Sequence, residues 1–243
     1  MMIGIWDLAI VFVLCGLLSV LSFRFRLLTT SGSLSAFILG MFIGVLGSIG
    51  WLLILVIFTV FGFAVTRYKI RQKMSGGLQE GMKGERDHRN VLANGLVPAI
   101  IAIASFASGA QGEVISGAVY LSAIGVAASD TVASEMGVLS HEARLITTGE
   151  PVEPGTNGGI SAYGTAWAFL GALVSSVVGW AILFPSNLMD ARLLVPVVIG
   201  FIGCNIDSLI GATLERKGMV GKLGNNIASM AIGSLIALPL LLM

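Results

Sequence analysis

Eight stretches of this chain are almost continuously apolar, at about residues 5–23, 33–47, 51–66, 91–108, 113–129, 160–184, 193–212 and 224–242. A helix crossing a hydrocarbon core takes about 20 mostly apolar residues, so runs of this length call for lipid as their solvent. The runs are continuous rather than alternating, which excludes a barrel. Within lipid only a helix then satisfies its own backbone donors and acceptors. Composition agrees: of 243 residues 56% are hydrophobic and 11% charged, where soluble chains carry roughly 25% charged residues. The eight runs leave no length for a large soluble domain. The sequence therefore predicts an all-α polytopic transmembrane helical bundle, with residues 1–243 forming one integral-membrane domain. Cys15 and Cys204 both lie in apolar runs and make neither a disulfide framework nor a metal set.

Orientation follows from the basic residues, because Lys and Arg gather in cytoplasmic loops. With the N-terminus outside, Arg24, Arg26, Arg67, Lys69, Arg71, Lys73, Lys83, Arg86, Arg89, Arg144, Arg216, Lys217 and Lys222 all fall inside, and Arg192 alone falls outside. An odd number of spans would scatter these loops over both faces, so the charges support the span count independently. Both termini are expected outside, in the cell (inner) membrane. The first run lacks a basic leader and a small-residue cleavage site, so it is expected to stay in the mature protein, and no organelle transit segment is visible. The run from Arg67 to Lys73 reads as a topology signal. Small residues four apart, Gly40 with Gly44, Gly171 with Ser175 and Gly179, and Ser229 with Gly233 and Ala237, read as close-packing positions between helices.

The remaining polar residues concentrate on the inner face. Five segments adjoin inner span ends: 84–90 running on to Asn94, 129–135, 154–161, 205–215, and Asn225–Asn226 with Ser229. Acids that enter apolar helices are costly and tend to face a bundle interior, which makes Asp130 and Asp207 functional candidates, with Glu135 and Glu215 behind them. On helices, Asp130 shares a face with Ser134, and Asp207 with Gly211 and Glu215. Carboxylates brought together beside a nucleotide suit Mg²⁺, a hard ion that keeps substrate phosphates in its shell. Asp130, Glu135, Asp207 and Glu215 are thus the candidate metal ligands. Arg86 and Arg89 at the mouth of the fourth span are candidate phosphate neutralisers, with Lys83, Lys217 and Lys222 near them.

The segment Gly155, Thr156, Asn157, Gly158, Gly159, Ile160, Ser161 opens into the sixth span, where backbone amides and a helix N-terminus suit phosphate. It lacks the Gly-Lys-Ser/Thr ending of a Walker loop. If it cradles phosphate, valine at Gly158 or Gly159 should damage nucleotide use in a folded protein. Asn225 and Asn226 open the eighth span as caps or ligand-binding residues, and Asn90 and Asn94 mark an interior face of the fourth.

Carried by the segments at 84–90, 129–135, 154–161 and 207–215, the sequence resembles an integral-membrane family, formerly a domain of unknown function, that includes plant phytyl-phosphate kinase. The likeness covers nearly the whole chain. A more remote one reaches CTP-dependent polyprenol kinases and CDP-diacylglycerol synthases. The resemblance implies phosphoryl transfer from a nucleoside triphosphate, with CTP expected, to an isoprenyl monophosphate, giving the diphosphate at the cytoplasmic face. Expected partners are the nucleotide, the isoprenyl monophosphate and membrane lipids, with no nucleic acid, and a homo-oligomer is left open. Without a transit segment, the phytyl chain is not assumed. Two alternatives stand beside this reading. One is a cytidylyltransferase making a CDP-lipid, which attacks a different phosphorus. The other is a small-solute transporter, which should hold its polar residues near mid-membrane.

Overall fold

The computed structural model describes residues 4–77 and 85–243. Lys83 and Gly84, named above, lie outside the described residues. Among the described residues, eight helices are long and apolar enough to cross a membrane, and these are the elements that the apolar runs predict. They are α1 (Ile5–Arg24), α2 (Thr30–Phe42, extended by a π turn at Ile43–Gly47) and α3 (Ile49–Arg67). After a six-residue helix, α4 (Ile70–Ser75), come α5 (His88–Ala107) and α6 (Val114–Gly137). The last three are α7 (Ala162–Leu183), α8 (Leu194–Ile210, extended by a π turn at Gly211–Glu215) and α9 (Lys222–Leu242).

α6 is the centre of the bundle. Of its apolar window 78% is buried, against 11% for α1 at the periphery. Small residues make this possible. A Cβ on Gly200 would fall 2.9 Å from the backbone of Gly125, and one on Gly171 would fall 3.0 Å from the Ala128 carbonyl, so α7 and α8 approach α6 at backbone distance. α3 is tied to the same helix by the stack of Trp51 on Tyr120, 4.3 Å between centroids, and by the Tyr120 hydroxyl donating to the Trp51 carbonyl at 2.7 Å. The expected close-packing pair Gly40 and Gly44 seats α2 on Cys15 and Val11 of α1.

Two features were not legible as apolar runs. α6 continues eight residues past the run's end at 129, because hydropathy marks the lipid-facing stretch while helix propensity carries on through Val132, Ala133, Glu135 and Met136. Asp130 therefore stands seven residues, about 10 Å, before the helix end rather than at it. The α6–α7 connection folds into a small antiparallel sheet, β1 (Ala143–Leu145), β2 (Pro151–Val152) and β3 (Gly159–Ile160), ordered β2-β1-β3. On the opposite face, Arg192 pairs with Asp190 at 2.6 Å, and these hydrogen bonds hold the Asp190 carboxyl below the usual carboxylate range.

Candidate functional site

α6 and α8 run in the same direction, so Asp130 and Asp207 lie at similar distances from the same end of the bundle. Both line a cavity of about 520 Å³, enclosed by the ends of α6, α7, α8 and α9 and roofed by the 155–161 segment. Asn157, Glu215, Asn225, Asn226 and Lys222 line it too. Segments far apart in the chain thus converge on one cavity at one end of the bundle.

Asp207 is held on both oxygens. The Ser229 hydroxyl donates to Oδ2 at 3.1 Å, and the Asn225 amide donates to Oδ1 at 3.2 Å and to the Asp207 carbonyl at 3.1 Å. The same Asn225 nitrogen lies 3.1 Å from Glu215 Oε2. The π turn brings Glu215 there: one extra residue per turn, marked by the Arg216 amide donating to the Gly211 carbonyl, rotates the helix end toward α9. Asn225 is buried and sits inside α9 rather than at its cap, so it is a clamp on two acids. Its Oδ1 is buried without a partner among the described residues. Ser229, expected both as a close-packing position and in the polar segment with Asn225 and Asn226, is an Asp207 partner. Asp130 receives the Ser134 hydroxyl at 3.5 Å, and Asp207 lies in the field of Asp130, Glu215 and Lys222.

Glu135, expected among the metal ligands, is ion-paired to Lys73 at 2.6 Å. Lys73 is fully buried, and its other two donors go to the carbonyls of Val65 and Thr66 at 3.2 and 3.3 Å, which satisfies all three ammonium protons. Nothing in the local sequence separates Lys73 from Arg67, Lys69 and Arg71. Its partner is 62 residues away, and only folding reveals it.

The 155–161 segment differs from an open amide cradle. Gly155 and Gly158 hold positive φ, +88° and +75°. The Thr156 amide donates to the Glu153 carbonyl and the Gly159 amide to the Thr156 carbonyl, so two of the loop's amides close its own turns. The Ser161 side chain caps α7 by accepting from the Gly164 amide at 3.0 Å. A Cβ on Gly158 would fall against the Ala212 backbone nitrogen, closer than real contacts allow. A valine there breaks the seat of the loop on α8, so Gly158→Val reports on packing rather than on approach to phosphate.

Arg86, Asn90 and Asn94 do not line this cavity. They line a second, smaller one between α2, α3 and α5. Arg89 is exposed and lines neither. Among the described residues no group of three or more His, Cys, Asp or Glu forms a metal cage. The Asp130 and Asp207 pair nevertheless suits a Mg²⁺ that takes one or two carboxylates and completes its shell with phosphate and water. The unpaired Asn225 Oδ1 adds an oxygen acceptor beside them.

No solved structure matches this chain. An uncharacterized membrane protein of Methanocaldococcus jannaschii is 35% identical over 213 residues, 87% of this chain and 84% of the relative. Another, of Synechocystis, is 34% identical over 194 residues, 79% and 74% of the two chains. The chloroplastic protein VTE6 of Arabidopsis thaliana is 30% identical over 218 residues, 87% of this chain and 64% of the relative. Residues 13–233 match the model of integral membrane protein DUF92, and the chain belongs to that family.

Proposed function

We propose that the protein is a membrane-embedded lipid phosphate kinase, transferring the γ-phosphoryl group of a nucleoside triphosphate, CTP in the first instance, to an isoprenyl monophosphate. The family includes plant phytyl-phosphate kinase, which supports the reaction class. The observation that carries the reading is the pair Asp130 and Asp207 on parallel helices, sharing one polar cavity at one end of an apolar bundle. Asp130 and Asp207 lie seven and eight residues, about 10–12 Å, inside their helix ends, and the residues that line their cavity come from that one end of the bundle, whereas a transporter needs access from both.

An acceptor phosphate oxygen attacks the γ-phosphorus, and the bridging oxygen leaves with the nucleoside diphosphate. The acceptor is already ionised, so the protein has to align the two phosphates and neutralise their charge rather than remove a proton. Mg²⁺, held by Asp130 and Asp207, would supply most of that neutralisation. Lys222 at the cavity supplies a further positive charge, and the clamp of Asn225 and Ser229 fixes Asp207 in one orientation.

Purified protein in detergent, given Mg²⁺, a panel of isoprenyl monophosphates and CTP labelled at the α or γ phosphate, should move the γ label alone into lipid. Incorporation of the α label instead identifies a cytidylyltransferase, and no incorporation of either removes both readings.

We place the cavity on the cytoplasmic side of the cell membrane, on the ground that 13 of the 14 basic residues then lie inside. Asn157 is exposed, and both native cysteines are buried. Asn157→Cys should therefore resist an impermeant thiol reagent added to sealed cells and react after permeabilisation. Reaction in sealed cells reverses the orientation.

A further inference from the structure

The smaller cavity has an unusual wall. Arg86 is fixed at its polar end by the backbone: its amide donates to the Leu27 carbonyl and its carbonyl accepts from the Thr29 amide, at 3.0 and 3.1 Å. Its guanidinium then lies against the last turns of α3. One nitrogen donates to Thr66 Oγ1 at 3.0 Å, and the group stacks over Phe63 at 5.1 Å from the ring centroid. Nε is buried with no partner, and among the described residues no carboxylate lies within ion-pair distance. The neighbouring Asp87 is engaged in capping α5. A guanidinium beside apolar α3 side chains, with its buried Nε unmatched, calls for an anion.

The rest of the cavity defines what that anion is attached to. Leu39, Leu55 and Phe58 make its body, which measures about 70 Å³. That is room for little more than a phosphate and excludes a nucleotide. Ala36, Leu55 and Thr59 are half-buried, so the cavity reaches the lipid-facing surface of the bundle. Arg86 sits at the level of Thr66, one residue before the end of α3, which is headgroup depth.

This cavity also neighbours the acid site. A Cβ on Gly62 would lie 3.6 Å from both Arg86 Nη1 and the Thr131 methyl, and Thr131 follows Asp130 on α6. Thr66 joins the two sides, its hydroxyl accepting from Arg86 and its carbonyl from Lys73, which pairs with the cavity-lining Glu135.

The geometry points to a divided site, in which the crevice between α2, α3 and α5 is the acceptor pocket. A prenyl phosphomonoester enters from the bilayer with its phosphate on Arg86 and its first carbons against Leu55 and Phe58, while the larger cavity takes the nucleotide. This rests on the kinase reading above and reassigns Arg86 from nucleotide to acceptor. Arg86 charge-assists the phosphate with a planar fork of donors, which lysine would not reproduce.

The test uses the full chain in detergent, with geranylgeranyl monophosphate as acceptor and inorganic phosphate as competitor. Arg86→Gln and, separately, Leu55→Trp should each raise the acceptor KM about tenfold or more, the loss expected when a charge-assisted contact or its pocket is removed, with the nucleotide KM unchanged. Leu55→Trp fills the crevice without touching the polar network, so it decides the matter if Arg86→Gln does not fold. Wild-type turnover with an unchanged acceptor KM in the folded variants overturns the pocket and leaves the kinase standing. A nucleotide KM that rises in step returns Arg86 to the nucleotide. Inorganic phosphate competing as well as the lipid reduces the crevice to a plain anion site. No wild-type turnover on any prenyl monophosphate removes the kinase reading, and this assignment with it.

Discussion

Asp130→Asn and Asp207→Asn should each cut phosphoryl transfer by about a hundredfold or more while leaving the folded protein intact. Both substitutions preserve size and hydrogen-bonding capacity and remove only charge. At Asp207 the asparagine oxygen can still accept from Asn225, and its amide can donate to the Ser229 oxygen, so the clamp survives. On the proposed kinase reading, what is lost is the charge that would hold a divalent ion against the nucleotide phosphates, and phosphoryl transfer depends above all on neutralising their charge. Stability should hold or rise, since Asp207 lies in the field of Asp130 and Glu215, and removing one negative charge relieves repulsion. Initial rates across a Mg²⁺ titration, beside thermal unfolding in detergent, separate the two effects. Near-normal turnover with an unaltered Mg²⁺ requirement in either variant would make that acid structural.

The largest stability loss is expected at Lys73→Met, about 3–5 kcal/mol, the cost of breaking a buried ion pair by removing one partner. The side chains of Lys73 and Glu135 are 0% and 7% exposed. The variant leaves Glu135 buried with neither oxygen compensated, because Oε1 already has no partner among the described residues. It also frees two α3 carbonyls that Lys73 satisfies. The double variant Lys73→Met with Glu135→Leu should recover most of the loss, since a buried pair replaced by apolar side chains of similar volume is close to neutral. Unfolding midpoints of the single and double variants give the coupling. A single variant as stable as wild type would show that α4 is not anchored through this pair. Loss of activity in a stable double variant would instead assign the pair to the chemistry, through the cavity wall that Glu135 forms.

Each of these outcomes depends on contacts of different sequence range, and that range divides what the chain displays openly from what it conceals. The eight spans and the one-sided gathering of Asp130, Asp207, Glu215 and Asn225 were legible in the sequence, because hydropathy and loop charge act locally and lipid admits few ways to satisfy a backbone. The Gly-rich 155–161 segment was legible as a turn beside the site, but not as a loop seated on Ala212, since that contact joins residues more than 50 positions apart. Helix rotation and long-range partners decided the rest. They turn Glu135 toward Lys73, set Ser229 and Asn225 on Asp207, and carry Arg86, Asn90 and Asn94 to a different crevice from the acids. A buried charge is assigned by what stands opposite it in space, and an apolar run constrains the length and direction of a helix but not which of its faces meets which neighbour.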